Sequence, residues 1–197
     1  MNPLAIFAFG GWVLIHDHER EHEADLCCLA EFVTPEKINF LLHQARGLIC
    51  VACDSALLSR LKIPLMCEDN QNNHGTNFCV SVDLAFGIST GVSAFDRAAT
   101  IKHLANPVAQ ATDFVKPGHT FPLKALDPEK RFGHTEATVS LAQMVGKTPA
   151  VVICEVLNEV GYKASFSEIL ALGKTHNIPV LDLKTLQSQI NTPVLTA

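Results

Sequence analysis

The segment "WVLIHDHEREHEADL", residues 12–26, places a dense group of charged side chains between two apolar stretches. Residues 12–16 form a short apolar run after a glycine pair, which is typical of a buried strand. The apolar residues that follow Asp25 indicate the start of another strand. The sequence therefore predicts two strands joined by a charged loop, and the rest of the fold is arranged around them.

Five carboxylates occupy nine positions of this loop, namely Asp17, Glu19, Glu21, Glu23 and Asp25. Because like charges repel, a loop that holds them in place needs cations, and only Arg20 is supplied locally. A hard divalent cation such as Mg²⁺ prefers carboxylate oxygens and completes its shell with water and substrate oxygens. A solvated acidic turn is the alternative, and this stretch alone does not separate the two.

Three histidines of the same loop suggest a transition metal such as zinc instead. No H-E-x-x-H arrangement is present, however. Strand geometry would also put His16 and His18 on one face, while Asp17 and Glu19 point away. The third histidine of the loop is His22. We expect two of the three to be surface or hydrogen-bonded side chains.

The composition fits a soluble protein with a small-molecule partner. A length of 197 residues suits a single domain spanning 1–197. The net charge is -5 and the basic residues are scattered, which argues against nucleic acid or an anionic membrane as partner. The apolar N-terminus lacks a basic segment and is broken by Gly10 and Gly11, so we do not interpret it as a signal or membrane segment.

Seven cysteines lie mostly within apolar stretches. This pattern predicts buried free thiols in a reducing compartment, and hence a cytoplasmic protein. Cys50 and Cys53 have C-x-x-C spacing, but their apolar setting favours a strand over a redox or zinc motif.

Strands and helices are predicted to interleave along the chain. The clearest helix has Thr34 as N-cap, Pro35 at its first position and Gly47 as terminator. Further strands are predicted at 48–53, 78–90, 150–157 and 179–183, and further helices at 55–62, 93–106, 136–146, 165–176 and near the C-terminus. Because the order is not strictly βαβ, we predict an α/β fold with a mixed sheet flanked by helices, and neither a barrel nor a doubly wound sheet.

Three intervening segments are also assigned. In 78–90 the alternation predicts a half-buried strand whose polar side, with Ser81 and Asp83, faces solvent or a site. The amide-rich segment 67–77 is predicted as a mobile or ligand-gated loop. The proline-rich segment 106–133 is predicted to be mostly loop with short strands.

Two further motifs, "PGHTFPL" (117–123) and "RFGHTEA" (131–137), place a histidine beside a glycine. In the second, Arg131 and Thr135 lie at a helix N-terminus and would suit a phosphate, while His134 would suit a metal or a proton transfer. His119, in the first motif, is a similar candidate. For either histidine alone, a structural role is the simpler interpretation.

Glu155 lies within an apolar strand. A buried carboxylate must be paired or have a raised pKa, and the second case produces a general acid or base. The hydroxyl-rich segment from Ser89 to Ser93 precedes a helix, where it would either cap the helix or hold an oxyanion.

Taken in order, the motifs "DHEREHEADL", "TNFCVSVDLAFGISTGVSAFDRAATI", "PGHTFPL" and "RFGHTEATVSLAQMVGKTPAVVICEVLNEVG" resemble those of the 3,4-dihydroxy-2-butanone 4-phosphate synthase family. The resemblance runs from about Ala5 to about Gly161, and the tail to Ile190 is compatible. It implies a single-domain α/β homodimer with active sites near the subunit interface and a requirement for Mg²⁺ or Mn²⁺. The implied reaction, in riboflavin biosynthesis, converts D-ribulose 5-phosphate to L-3,4-dihydroxybutan-2-one 4-phosphate and formate.

The resemblance also implies roles for individual residues. The metal ligands would be Glu21 and His134. The substrate would be bound by Arg20, Glu21, Asp25, Arg131, His134 and Thr135. The residues implied to be essential for catalysis are His119 and Glu155, and our hypothesis is that the acid and base steps are shared by these two with Glu23 and Asp25.

The acidic loop departs from the family pattern at four positions. His16 and His18 stand in place of acids, His22 in place of asparagine, and Ala24 in place of a glycine. If that glycine has positive φ, alanine would be strained by about 1 kcal/mol. The segment "ALDPEK" before Arg131 is also shorter than in the family. These changes keep two alternatives open: an enzyme for a related sugar phosphate, and a catalytically silent binding protein of the same fold.

Overall fold

The computed structural model describes residues 2–190, which contain seven strands. In chain order the strands are β1 (Val13–Asp17), β2 (Glu23–Leu29), β3 (Cys50–Cys53), β4 (Val82–Leu84), β5 (Phe114–Lys124), β6 (Ala150–Glu155) and β7 (Val180–Asp182). They form one sheet in the order β4-β5-β3-β6-β2-β1-β7. The pairs β1–β7 and β3–β5 are parallel and the others antiparallel, so the predicted mixed sheet is confirmed.

Seven α-helices connect these strands. They are α1 (Pro3–Ala8), α2 (Pro35–Gln44), α3 (Ser55–Arg60), α4 (Ala94–Leu104), α5 (His134–Met144), α6 (Phe166–His176) and α7 (Leu183–Ile190), with 3-10 turns at Ala30–Phe32 and Ala111–Asp113. The predicted caps are confirmed, because the side chains of Thr34, Ser93 and Ser165 each accept a backbone N–H of the first turn. None of the described helices is long and apolar enough to cross a membrane.

Helices cover both faces of the sheet. Neighbouring residues of each strand point to opposite sides, so each strand contributes to a buried cluster on either face. Leu14 belongs to a buried cluster with residues of α2, α3, α4 and α6. Ile15 belongs to a second cluster with residues of α1, α5 and α7. The central strands β3 and β6 are therefore buried on both faces, which explains their continuous apolar sequences. All seven cysteines are free and only Cys67 is exposed, as the composition predicts.

The role predicted for Gly47 is wrong. The chain leaves α2 through Arg46, which has the positive φ of 68°. Gly47 instead packs against β6, where a Cβ would lie 2.4 Å from the carbonyl oxygen of Glu155. A glycine is required there by the close approach of two backbones and not by a helix end.

The segment 106–133 is also more regular than predicted, because β5 contains eleven residues and includes the motif around His119. Its first half pairs with β4, a strand of three residues at the sheet edge, and several of its side chains are exposed. Two prolines and this uneven burial remove the alternation that normally reveals a strand.

In the segment 78–90 only Val82–Leu84 is a strand, and it is buried on both sides where a half-buried strand was predicted. The polar residues Ser81 and Asp83 are buried, and so is the apolar Val82, while Phe78 and Val80 are partly exposed. The polar side bonds to β5, since the Ser81 hydroxyl accepts the N–H of Gly118 at 3.1 Å and Asp83 accepts the N–H of His119 at 2.9 Å. Hydrogen bonds to a neighbouring strand therefore occupy the side that was predicted to face solvent or a site.

Candidate active site

The acidic loop is a hairpin turn between β1 and β2, in which Asp17 and Glu23 are paired. The buried carboxylate of Asp17 accepts the backbone N–H groups of Glu19, Arg20 and Glu21 at 3.1, 3.0 and 3.4 Å. The first acid of the loop therefore stabilises the turn itself and does not face a ligand.

Cations from distant segments offset part of the remaining charge. Glu19 pairs with Lys184 of α7 at 2.5 Å, and Lys163 donates to the backbone carbonyl of Glu21. Arg20 pairs with the Glu21 carboxylate and donates to the carbonyl of Phe132 at 3.3 Å. The five carboxylates are thus divided: Asp17 stabilises the turn, Glu19 pairs with α7, and Glu21, Glu23 and Asp25 line a cavity.

The histidines of the turn lie elsewhere. The His16 ring packs on Phe166 with ring centroids 4.5 Å apart, and His18 pairs with Asp182 at 2.7 Å. Burial, and then His18, lowers the pKa of His16. His16, His18 and His22 line a second cavity of about 760 Å³. Within residues 2–190 they do not join the group that could hold a metal, so the zinc interpretation is not supported.

The group able to hold a cation consists of Glu21, Glu23 and His134, with ligand atoms all within 4.8 Å of one another. Nδ1 of His134 lies 3.6 Å from Glu21 and 4.0 Å from Glu23. Nε2 of His134 donates to the carbonyl of Ile15 at 3.1 Å, so Nδ1 is the ring nitrogen directed at the acids. Nδ1 donates to the acids when the ring is protonated and offers a lone pair to a cation when the ring is neutral. Two carboxylates and one imidazole fit a divalent cation that retains water ligands, such as Mg²⁺ or Mn²⁺.

Charge coupling shifts the pKa of each member of this group. A hydrogen bond from His134 holds the pKa of Glu21 well below its usual range. Burial, and then Glu21, raises the pKa of Glu23 to about 8, and burial raises that of Asp25. Burial alone would lower the pKa of His134, but Asp25, Glu21 and Glu23 raise it to about 9. A proton on His134 thus offsets the excess negative charge, and a bound divalent cation would offset it instead.

Arg131, which also lines the cavity, is held by a buried acid that sequence reasoning missed. Its guanidinium pairs with Glu136, which is 1% exposed. The same carboxylate accepts the N–H groups of Leu126 at 3.1 Å and Gly133 at 3.0 Å. Glu136 therefore fixes Arg131 and the start of α5 together. The sequence signal was its place as third residue of that helix, where an acid reaches back to the N-cap.

The amide-rich loop 67–77 also contacts this site. Arg131 donates to the His74 carbonyl at 3.2 Å and to the Thr76 hydroxyl at 3.3 Å. The ring of His74 lies 3.6 Å from Glu21. The loop thus contacts both Arg131 and Glu21. Its mobility stays a prediction.

This cavity has a volume of about 190 Å³. It is lined by Glu21, Glu23, Asp25, Leu48, Cys50, Thr76, Phe78, Leu123, Arg131, His134, Thr135, Ile153 and Glu155. Asp25 and Glu155 are direct partners on β2 and β6, so two carboxyl groups share one side of the wall. Within the described residues Glu155 forms no ion pair. A structural ion pair, which was the alternative to a general acid or base at this position, is therefore not observed there.

His119 does not line this cavity. It lies on β5 near the sheet edge, with its side chain 46% exposed and paired with Asp83. All the predicted site residues other than Arg20 and His119 line the cavity of one chain. Arg20 lies beside the cavity, bonded to Glu21, whereas His119 lies apart.

Two smaller predictions are settled by backbone geometry. Ala24 is an ordinary strand residue opposite His16, and the positive φ of 51° belongs to His22, so the predicted strain at Ala24 is wrong. Ser93 caps α4, and the Ser89 hydroxyl donates to Asp96 at 2.6 Å. This hydrogen bond is the main reason that the pKa of Asp96 falls to about 2. The hydroxyl-rich segment thus serves the helix start, the simpler of its two interpretations.

Comparison with known proteins places the chain in one family. The family of 3,4-dihydroxy-2-butanone 4-phosphate synthases matches residues 3–189. A synthase of that name from Neisseria meningitidis serogroup A is 46% identical over 180 residues, which cover 90% of this chain and 50% of that protein. One from Vibrio cholerae is 42% identical over 178 residues, 89% of this chain and 82% of that protein. The chain thus spans about half the length of the Neisseria relative.

Solved structures agree with this assignment. A 3,4-dihydroxy-2-butanone 4-phosphate synthase in complex with two magnesium ions has a TM-score of 0.91 and 33% identity, covering 95% of this chain and 94% of that one. The Candida albicans synthase has a TM-score of 0.88 and 36% identity, covering 96% of each chain. Sequence and fold match over nearly the whole chain, and we conclude that it belongs to the 3,4-dihydroxy-2-butanone 4-phosphate synthase family.

Proposed function

We propose that this chain converts D-ribulose 5-phosphate to L-3,4-dihydroxybutan-2-one 4-phosphate and formate, a step of riboflavin biosynthesis. The observation that carries the proposal is one cavity whose lining includes both a cation-binding group and Arg131. A phosphorylated ketose has the two matching kinds of group, since its hydroxyl and carbonyl oxygens suit a divalent cation and its phosphate suits a guanidinium.

In this cavity, Glu21 and His134 would hold Mg²⁺ or Mn²⁺, with Glu23 within reach. When bound, such a cation supplies charge stabilisation to substrate oxygens. The solved relative in complex with two magnesium ions supports this choice. Arg20 bonds Glu21 and would orient it, and Asp25 would bind the sugar hydroxyls from β2.

Arg131 and Thr135, which line the same cavity, would bind the phosphate. Thr135 lies in the first turn of α5, where free backbone N–H groups favour an anion. Glu136 keeps the Arg131 side chain ordered before substrate arrives, which lowers the entropic cost of binding.

The proton transfers would be shared by Glu23, Asp25, Glu155 and His119. Burial raises the pKa of Glu23 and of Asp25, so each is suited to hold a proton near neutral pH and release it to a substrate oxygen. Glu155, opposite Asp25 on the neighbouring strand, provides a further carboxyl group on the same wall.

His119 would act across a subunit boundary in a homodimer, with His119 of the partner subunit completing the cavity of the first chain. Its half-exposed side chain and its distance from the cavity lining support this arrangement. Exposed apolar side chains on the surrounding segments offer an interface: Phe86, Val92, Phe95 and Val115. We further propose that the chain is cytoplasmic, supported by the free thiols, and that residues 1–197 form a single domain, supported by the one continuous sheet.

The departures in the acidic loop favour neither alternative function. His16, His18 and His22 line the second cavity, which shares no lining residue with the proposed active site. Ala24 is accommodated as a strand residue. A changed sugar phosphate or a silent protein would require changes in the cavity wall, whereas the predicted ligands there are present.

The test is incubation of purified protein with D-ribulose 5-phosphate and Mg²⁺, with formate followed by ¹H NMR. We expect formate from the wild type and none from Glu21→Ala or His134→Ala. Glu19→Ala is the matched control, since this acid of the same turn pairs with Lys184 outside the cavity and its loss should leave the rate unchanged. A folded, metal-loaded wild type that yields no formate would overturn the proposal.

A further inference from the structure

Asp83 directs both of its carboxylate oxygens to a single residue. Oδ1 accepts the backbone N–H of His119 at 2.9 Å, and Oδ2 lies 2.7 Å from Nδ1 of its ring. Because a carboxylate only accepts, Nδ1 must carry the proton and Nε2 is left with a free lone pair when the ring is neutral. The Asp83 side chain is 7% exposed and that of His119 is 46% exposed.

The surrounding backbone is built closely around this pair. Gly91 has φ of +92°, and a Cβ there would lie 2.1 Å from Oδ2 of Asp83 and 2.5 Å from Nδ1 of His119. Asp96 accepts the N–H of Gly91 at 3.1 Å and so holds the loop in place. On the other side, Ser81 fixes the backbone of Gly118 beside His119. The backbone therefore approaches the pair so closely at Gly91 that a side chain there would clash with both groups.

A second histidine–aspartate pair in the same region provides a contrast. Nε2 of His103 lies 2.9 Å from Asp113, and the His103 ring packs against Phe86 and Phe114. Asp113 also accepts the N–H of Gln110, which closes a 3-10 turn. That pair joins parts of the scaffold, whereas Asp83 serves one residue whose ring is half exposed. Among residues 2–190, no group is hydrogen-bonded to Nε2 of His119.

We propose that Asp83 is a positioning residue for the reaction: it fixes the tautomer and direction of His119 so that Nε2 can exchange a proton with the substrate. The proposal rests on the proposed function, in which His119 takes part in catalysis. Asp83 itself touches no substrate, and it acts by keeping Nδ1 protonated and the ring in place. The exposed Nε2 is then the atom available at the subunit boundary.

The first measurement is the tautomer of His119 in the wild-type protein, by ¹⁵N NMR of the imidazole nitrogens at a pH where the ring is neutral. We expect the Nδ1–H form. In Asp83→Asn the amide can turn its NH₂ toward Nδ1, which favours the opposite tautomer. An Nε2–H ring in the wild type would overturn the proposal without any variant and without any activity.

The second measurement is the rate of formate release by Asp83→Asn and by the matched control Asp113→Asn. For Asp83→Asn we expect kcat to fall by about 100-fold or more with KM changed by less than about 3-fold, as for loss of a general acid or base. Asp113→Asn should keep the wild-type kcat. The double variant Asp83→Asn with His119→Ala should be no slower than His119→Ala alone.

The outcomes separate the two proposals. A wild type that releases no formate overturns the proposed function, while the tautomer still decides the role of Asp83. An active wild type combined with an unchanged kcat and tautomer in Asp83→Asn overturns the positioning role. If Asp83→Asn does not fold, as judged by circular dichroism, the wild-type tautomer alone gives the decision.

Discussion

The cation-binding end of the site and the His119 end are built in opposite ways. Glu21, Glu23 and His134 come from segments more than a hundred residues apart, yet they meet inside one chain and are largely buried. His119 lies at the sheet edge, half exposed, and its ring is bonded to Asp83. The comparison teaches that one chain brings the proposed cation and phosphate ligands together while leaving His119, the proposed proton-transfer group, at another surface.

The largest expected effect tests whether the two ends belong to different chains. His119→Ala and Glu21→Ala should each be inactive alone, but co-expression should restore about a quarter of wild-type activity, because half of randomly formed dimers contain one intact site of two. Formate release by the purified mixture measures this. If the two ends act within one chain, the mixture stays as inactive as its components.

A smaller effect is expected from Glu136→Gln, which tests whether the buried part of the site depends on the pairing of Glu136 with Arg131. Arg131 would lose its charged partner and its fixed direction, at a cost of about 2 kcal/mol, or roughly 30-fold in kcat/KM. The loss should appear mainly as a raised KM for the sugar phosphate, measured by steady-state kinetics. Glu129→Gln, in the exposed turn before Arg131, is the control. A normal KM in Glu136→Gln would show that Arg131 needs no buried acid.

The smallest effect concerns stability at the His119 end. Hydrogen bonds from Ser89 and Gly91 lower the pKa of Asp96 from 3.8 to about 2. A lowered folded-state pKa means that the carboxylate stabilises the fold above pH 3.8, and that this contribution is lost as pH falls through about 2. Asp96→Asn should therefore lower the free energy of unfolding at pH 7, and the difference from wild type should shrink between pH 4 and 2.5. Urea unfolding across this range measures it, and a pH-independent difference would contradict the pKa argument.

Much of the fold could be predicted from local patterns because the signals were strong. Thr34, Ser93 and Ser165 marked helix starts through cap hydrogen bonds that involve only near neighbours. The strands β3 and β6 were recognisable since both faces are buried and the sequence is continuously apolar. β5 was mostly missed because half of it lies exposed beside a short edge strand, so burial leaves no regular pattern there.

The candidate site was only partly predictable. Its charge density indicated a cation site in the acidic loop, and the resemblance to the family implied Glu21 and His134 as ligands. These two residues do lie together. The roles of the supporting residues Glu136, His74 and Asp83 were missed, because their partners lie 5, 53 and 36 residues away in the chain, respectively. The two longer separations leave no local signal in the sequence. The resemblance to the family supplied the roles, and the geometry supplied the partners.

By itself the sequence determined most of the helices and the strands buried on both faces, that the thiols stay unpaired, and that the turn at residues 17–25 carries more negative charge than local cations offset. These properties depend on near neighbours or on composition. Only the tertiary structure decided which acids of that turn face the cavity, which cations neutralise the others, and that His119 is held by Asp83 outside the cavity. Those outcomes depend on strand order and register, because hydrogen bonds and ion pairs act over a few ångströms in space whatever the separation along the chain.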